Sequence, residues 1–164
     1  MNYFDTSVLV PFFLHEKTSS GVEDLLTQQP PGEATVSVWT HVEFSSMLAR
    51  HVRIGALSSA KAIEADFAFD SLMAASFVTV SPAAEDFDLS RQFLRRYDTG
   101  LRPGDALHLA IASNRRARAI YSLDQGFLRS RVPKGRPTPG FSGQERRPIA
   151  MTNPTGTLSR PETC

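Results

Sequence analysis

Apolar residues enter this chain in short blocks, and the polar residues between them fall at positions that start or stop regular structure. Tyr3-Phe4 comes first, a buried-strand pattern ending on Asp5. The apolar run to Leu14 predicts a short helix from Ser7, interrupted or re-aimed by Pro11. Thr18-Ser19-Ser20 offers caps for a helix to about Gln28, with Val22, Leu25 and Leu26 as its apolar side, and Pro30-Pro31-Gly32 breaks it. Ala34 to Val38 predicts a second strand. A helix follows from Thr40 to Arg53, stopped by Gly55, and Ser58-Ser59 caps another from Ala60 to about Ala75. Phe77 to Val80 predicts a third strand, ended by Pro82, and Ala83 to Tyr97 a helix carrying Phe87, Leu89, Phe93 and Leu94. Arg102-Pro103-Gly104-Asp105 opens a helix from Ala106 to about Ala117 that is apolar almost all round, so it is expected to be heavily buried. Ala119 to Ser122 predicts a fourth strand. Strands alternating with helices imply an α/β fold with a parallel sheet covered on both faces.

Length and composition narrow this picture little: 164 residues, 41% hydrophobic and 21% charged, describe one ordinary globular domain. The distribution of charge adds more. Residues 1–128 hold 11 Lys and Arg against 15 Asp and Glu, and residues 129–164 hold 7 against 2. A mildly acidic body argues against a protein that grips nucleic acid over its whole surface. Ten of the last 36 residues are Gly or Pro, with few large apolar side chains. The chain is therefore divided into a domain over 1–130 and a basic tail over 131–164, expected to be mobile and to lack a core. Arg131-Val132-Pro133-Lys134-Gly135 makes a poor strand, although Phe141 or Ile149 could pin part of the tail. A single cysteine, Cys164, leaves no internal disulfide, and the first apolar run is too short to span a bilayer and follows Asp5 rather than a basic segment. A cytoplasmic location, with no membrane partner, is the expectation.

Candidate chemistry comes from four carboxylates. Asp5 and Asp124 each end a predicted strand, so in a parallel sheet both project from the C-terminal edge, where ligands bind in open α/β folds. Asp105 opens the buried helix, and Glu43 sits on a largely apolar one, where a charge needs a partner or a metal. No Lys or Arg lies within three residues of Asp5, Glu43 or Asp124. Four acids brought together would repel one another unless a divalent cation joined them, and oxygen ligands without His or Cys select Mg²⁺ or Mn²⁺. Each acid also has a plain structural reading: Asp5 as a helix cap, Asp105 as a helix-start residue, Asp124 as a cap of the turn Gln125-Gly126, and Glu43 as the partner of a distant Arg. Their joint placement favours the metal.

Taken in order, these segments resemble a known family. The strand-Asp-Thr-Ser opening, Val42-Glu43-Phe44, Arg102-Pro103-Gly104-Asp105-Ala106-Leu107-His108-Leu109-Ala110 and Ser122-Leu123-Asp124-Gln125-Gly126-Phe127 look like a PIN-domain ribonuclease of the VapC-type toxin group. The resemblance covers residues 1 to about 130 and implies a three-layer α/β/α fold. It implies a Mg²⁺-dependent endoribonuclease, the toxin of a toxin–antitoxin module, that hydrolyses RNA through a metal-activated water. A cognate antitoxin and a homodimer are the implied partners. By position, Asp5 and Asp105 would be the principal ligands, with Glu43 and Asp124 completing the site. Ser7 and Ser122 would support them by hydrogen bonds, and Arg102 is the basic residue assigned to RNA. His108 is read as a packed helical residue, and Arg115, Arg116 and Arg118 as a solvated helix end. The alternatives are an inactive PIN-like module that binds RNA or protein, and a metal-dependent phosphatase. The phosphatase pattern wants a second Asp where Ser7 stands.

Overall fold

The computed structural model describes residues 1–14, 19–129 and 150–152. In chain order its elements are β1 (Asn2–Phe4), α1 (Thr6–Leu14), α2 (Ser19–Thr27), β2 (Ala34–Ser37), α3 (Val38–Arg53), α4 (Ser59–Ser76), β3 (Val78–Val80), α5 (Ala84–Leu94), α6 (Pro103–Asn114), β4 (Ala119–Tyr121), α7 (Gln125–Arg129) and β5 (Ala150–Thr152). The strands form one sheet in the order β3-β2-β1-β4-β5. Every pairing is parallel, and β1 meets β4 in the register Tyr3 opposite Ile120 and Phe4 opposite Tyr121. Among the described residues, no helix is long and apolar enough to cross a membrane.

The period-two alternation of β1 builds the layers. Phe4 points into a core with Val8, Leu9, Val22, Val36, Phe44, Leu48, Phe69 and Met73, which places α1 to α4 on one face. Tyr3 points the other way, among Leu107, Leu109, Ile111, Ile120 and Phe127, which places α6 and α7 there. The result is the three-layer α/β/α arrangement. On the first face the aromatic rings pack closely: Phe44 stacks on Phe69 at 4.0 Å between centroids, and Phe4 on Tyr121 at 4.8 Å.

Several boundaries differ from the pattern-based expectation for local reasons. Pro11 does not break α1, which runs through it. Strand β2 ends at Ser37 and passes straight into α3, two residues earlier than the apolar spacing indicates. Helix α6 starts at Pro103, because proline suits a first helical turn and Asp105 at the third position accepts the Arg102 N–H at 3.1 Å. It ends at Asn114 rather than Ala117, and Arg116 then takes a left-handed conformation with φ 55°. Helix α5 stops at Leu94, leaving Tyr97 exposed. Three residues of the C-terminal segment, Ala150–Thr152, add an edge strand, and the Ser122 N–H bonds to the Thr152 carbonyl at 3.2 Å. No sequence pattern marked that strand. Residues 131–149 and 153–164, including the Arg131–Gly135 stretch, Phe141 and Ile149, lie outside the described residues.

Arg115 also departs from its reading as a solvated helix end. It reaches back to α5, where its Nη1 meets Asp86 Oδ2 at 2.9 Å and its Nη2 meets the Ser81 carbonyl. Asp86, 1% exposed, also accepts the Asn114 amide at 2.7 Å and the Ala83 N–H at 2.9 Å. Burial pushes its carboxyl up, but these donors outweigh burial and hold it below the ordinary range. Arg118, in turn, pairs with Glu33 beside the N-terminus. Removing Asp86 strands a guanidinium and two N–H donors, so Asp86→Ala should cost about 3 kcal/mol in urea unfolding. Because the folded-state value is depressed, this stabilisation is complete above the unfolded carboxyl value of about 3.9 and is lost as pH falls through the folded one. The gap between wild type and Asp86→Asn should therefore close only below about pH 4.

Candidate active site

A parallel sheet in this order has its switch point between β1 and β4: the chain builds outward from β1 through β2 to β3, then returns to start β4 on the other side. Ligands of open α/β sheets bind outside the C-terminal ends of such a pair. Asp5 follows β1 directly, its N–H bonded to the Tyr121 carbonyl at 3.1 Å, and Ser122 follows β4.

Asp5 is 5% exposed and accepts the Ser7 backbone N–H at 2.5 Å through Oδ1. The Ser122 and Ser7 hydroxyls lie near its carboxylate and favour the ionised form. These two serines lie 3.3 Å apart. Ser7 Oγ accepts the Leu123 N–H at 2.8 Å, and Ser122 Oγ the Asp124 N–H at 3.0 Å. The two loops leaving β1 and β4 are thus tied together under Asp5. Despite this support, burial raises the Asp5 carboxyl above its ordinary range. Asp105 is raised too, by burial first and then by the charges of Asp124 and Asp5. Asp5, Asp105 and Asp124 therefore share one electrostatic neighbourhood.

Asp124 uses Oδ1 to accept the Gly126 and Phe127 N–H groups, at 2.7 and 3.1 Å, at the start of α7. Its Oδ2 faces Arg102 Nη1 at 3.7 Å, and the Arg102 side chain is 79% exposed at the rim. Capping and membership of the acidic set are both true of this residue.

Glu43 is held differently. Its Oε2 accepts from Thr6 Oγ1 and lies 2.7 Å from His108 Nε2. On the far side of the imidazole, Nδ1 is 2.8 Å from the Tyr3 hydroxyl, which also bonds Ser37 Oγ at 2.9 Å. Trp39 Nε1 approaches the same carboxylate without the geometry of a full hydrogen bond. Burial raises the Glu43 carboxyl, but His108 and the other partners outweigh it and hold the group below its ordinary range. Its Oε1 lies over Gly104, where a Cβ would stand 2.5 Å away, so any side chain before Asp105 would have to push that carboxylate aside. His108 is accordingly more than a packed helical residue. It contacts the acidic set, and Tyr3, Thr6 and Ser37 join through it or through Glu43. Tyr3 and Ser37 lie in strands whose apolar neighbours gave no hint of this; His108, one turn after Asp105, was the only visible signal.

Among the described residues, no three His, Cys, Asp or Glu side chains stand close enough together to hold a metal ion as they are placed here. The donor set nonetheless fits a hard cation. It offers oxygen ligands only, Asp5 destabilised as an anion by burial and Asp105 by burial and the charges of Asp124 and Asp5, and Mg²⁺ keeps several of its own waters rather than needing an all-protein cage.

The PIN-domain family model matches residues 3–132. This chain belongs to the PIN-domain family. No curated protein matches it. Solved structures share its fold at low identity. VapC20 of Mycobacterium tuberculosis, described as a sarcin-ricin-loop-cleaving toxin, has a TM-score of 0.64 and 16% identity over 84% of this chain and 100% of its own. VapBC2 of Rickettsia felis, bound to a DNA fragment from its promoter, gives 0.62 and 14% over 93% of this chain and 98% of its own. FitAcB of Neisseria gonorrhoeae gives 0.63 and 14% over 96% and 100%. These likenesses establish the PIN fold.

The Gly104 contact can be tested by a mutant cycle. Gly104→Ala should destabilise the protein by about 1–3 kcal/mol, the usual cost of overpacking. In a Glu43→Ala background, where the clashing oxygen is gone, most of that cost should vanish from the urea midpoints.

Proposed function

We propose that this PIN-domain protein is a Mg²⁺-dependent endoribonuclease acting as the toxin of a toxin–antitoxin pair. What supports the reading is that Asp5 follows β1 at the sheet's switch point, and that Asp105 at the start of α6 feels the charges of both Asp124 and Asp5. Such a group is stabilised by a divalent cation, and a cation among carboxylates at an open edge suits phosphodiester hydrolysis. The fold relatives described as toxins or toxin–antitoxin complexes supply the biological setting.

In this reading Asp5 and Asp105 are the principal ligands, Glu43 completes the site, and Asp124 is the outer member. When bound, Mg²⁺, or Mn²⁺ in its place, supplies the Lewis acidity that lowers the pKa of a water and offsets negative charge on the phosphate. The chain's own residues arrange the rest. The Ser7 N–H keeps Asp5 from turning, with the Ser7 and Ser122 hydroxyls close by. Arg102, exposed beside Asp124, provides the cation that receives the RNA backbone. An antitoxin would silence the site by covering this edge, and a homodimer in the cytoplasm is the expected form of the toxin.

Two measurements test the reading. Purified protein should cleave total cellular RNA with Mg²⁺, lose that activity in EDTA, and lose it by at least a hundredfold on Asp5→Asn, on the order of one essential ligand's contribution. Equal cleavage in all three conditions would sink the assignment. Arg102→Ala should weaken RNA binding and reduce the slope of log affinity against log salt by nearly one phosphate contact, about 0.7 for single strands. An unchanged slope would remove Arg102 from the RNA contact.

A further inference from the structure

Behind Glu43 runs a line of buried polar side chains that neither a metal nor RNA could touch. Ser37, Tyr3 and His108 are 0%, 0% and 3% exposed, and they connect in that order to Glu43 through contacts of 2.9, 2.8 and 2.7 Å. They come from three different elements: β2, β1 and α6. An apolar core gains nothing from such a set, since each member must find a partner or destabilise the fold. Leu, Phe and Ala would fill these positions equally well if packing were the only demand.

We infer that Tyr3 and His108 are positioning residues for Glu43, fixing which carboxylate oxygen is engaged in the interior and which is presented beside Asp105. The inference rests on the proposed metal-dependent reading, because it assigns Glu43 a part in that site. An ionised carboxylate can only accept, so the hydrogen between His108 and Glu43 sits on Nε2. That bond and the one from Thr6 both land on Oε2, which leaves Oε1 over Gly104, the residue preceding Asp105. The imidazole is fixed in turn at Nδ1 by the Tyr3 hydroxyl, with the two rings tilted 58° at a centroid distance of 5.7 Å. Ser37 fixes that hydroxyl. Strand β1 thus serves the site twice, through Asp5 at its end and through Tyr3 two residues earlier, on the opposite face of the sheet from Phe4. A carboxylate held from behind in this way loses little freedom when it engages the site, which is how outer hydrogen bonds raise affinity for a metal.

The experiment uses the full chain and Mn²⁺ as the probe, with affinity read by electron paramagnetic resonance in the absence of RNA. Tyr3→Phe, which removes one hydroxyl and keeps the ring, and His108→Leu should each weaken Mn²⁺ binding by about ten- to a hundredfold. RNA cleavage should show a lowered kcat with KM unchanged, because Glu43's orientation and not RNA binding has been altered. His108→Gln places an amide N–H near the position of Nε2 and should recover Mn²⁺ affinity to within a few-fold of wild type. A purely structural role would leave Leu and Gln equivalent, and that result would overturn the proposal, as would wild-type Mn²⁺ affinity in Tyr3→Phe. Tyr3→Phe keeps the test open should His108→Leu fail to fold. Wild-type protein that takes up no Mn²⁺ would overturn the metal reading itself, and this inference with it. Binding that depends on Asp5 but ignores Tyr3 and His108 would remove this inference alone.

Discussion

Three aspartates can stand together at one sheet edge only because each is spent on a helix start. Asp5 accepts an N–H in the first turn of α1, Asp105 closes the cap of α6, and Asp124 accepts two N–H groups of α7. A helix N-terminus carries roughly half a positive charge together with unpaired N–H donors. Three such ends aimed at the switch point form a partial counter-charge that the backbone itself provides. The compensation is incomplete: burial holds the Asp5 carboxyl above its ordinary range, and burial together with the charges of Asp124 and Asp5 does the same at Asp105. In the proposed reading, the remaining imbalance is what a cation would settle.

Capping and ligand roles are therefore not rivals at these positions. A cap fixes the rotamer of the aspartate by engaging one oxygen, which is the same constraint a metal ligand needs. Glu43 has no helix start to lean on, being mid-way along α3, and it is fixed by side chains instead: Thr6, which follows Asp5, and His108, one turn beyond Asp105. Both neighbours come from segments that already carry an aspartate of the set. Displacing either segment would disturb two carboxylates at once, which couples the geometry of Glu43 to that of Asp5 and Asp105.

Much of this was legible in the sequence because it depends on local pattern. Tyr3-Phe4-Asp5 and Ile120-Tyr121 read as strands, and a carboxylate at or just beyond the end of a parallel strand has only one edge to occupy. The heavily apolar stretch from Ala106 declared its own burial, and all seven residues from Ala106 to Ala112 are buried. What escaped depends on partners remote in sequence. Asp86 looks like any first-turn acid of an exposed helix, and its burial is decided by Asn114 and Arg115, 28 and 29 residues away. His108 looks like core because its partners, Tyr3 and Glu43, lie 105 and 65 residues away. Ala150–Thr152 carries no strand signature of its own; β4, already flanked by β1, offers it a free edge. Arg115 was misread because its partner, Asp86, is equally remote in sequence.

Gly104 connects the two kinds of information. In the sequence it is an unremarkable member of a Pro-Gly-Asp helix start, chosen as readily for flexibility as for anything else. In the fold its backbone φ is ordinary, and what it contributes is absence: a Cβ would meet the Glu43 carboxylate at 2.5 Å and the Trp39 indole nitrogen at 3.6 Å. The missing methyl group is the space through which α3 brings its one carboxylate of the set against the start of α6. The local cap that places Asp105 and the long-range contact that places Glu43 thus pass through a single residue. A change there acts on the acidic set without altering any charge.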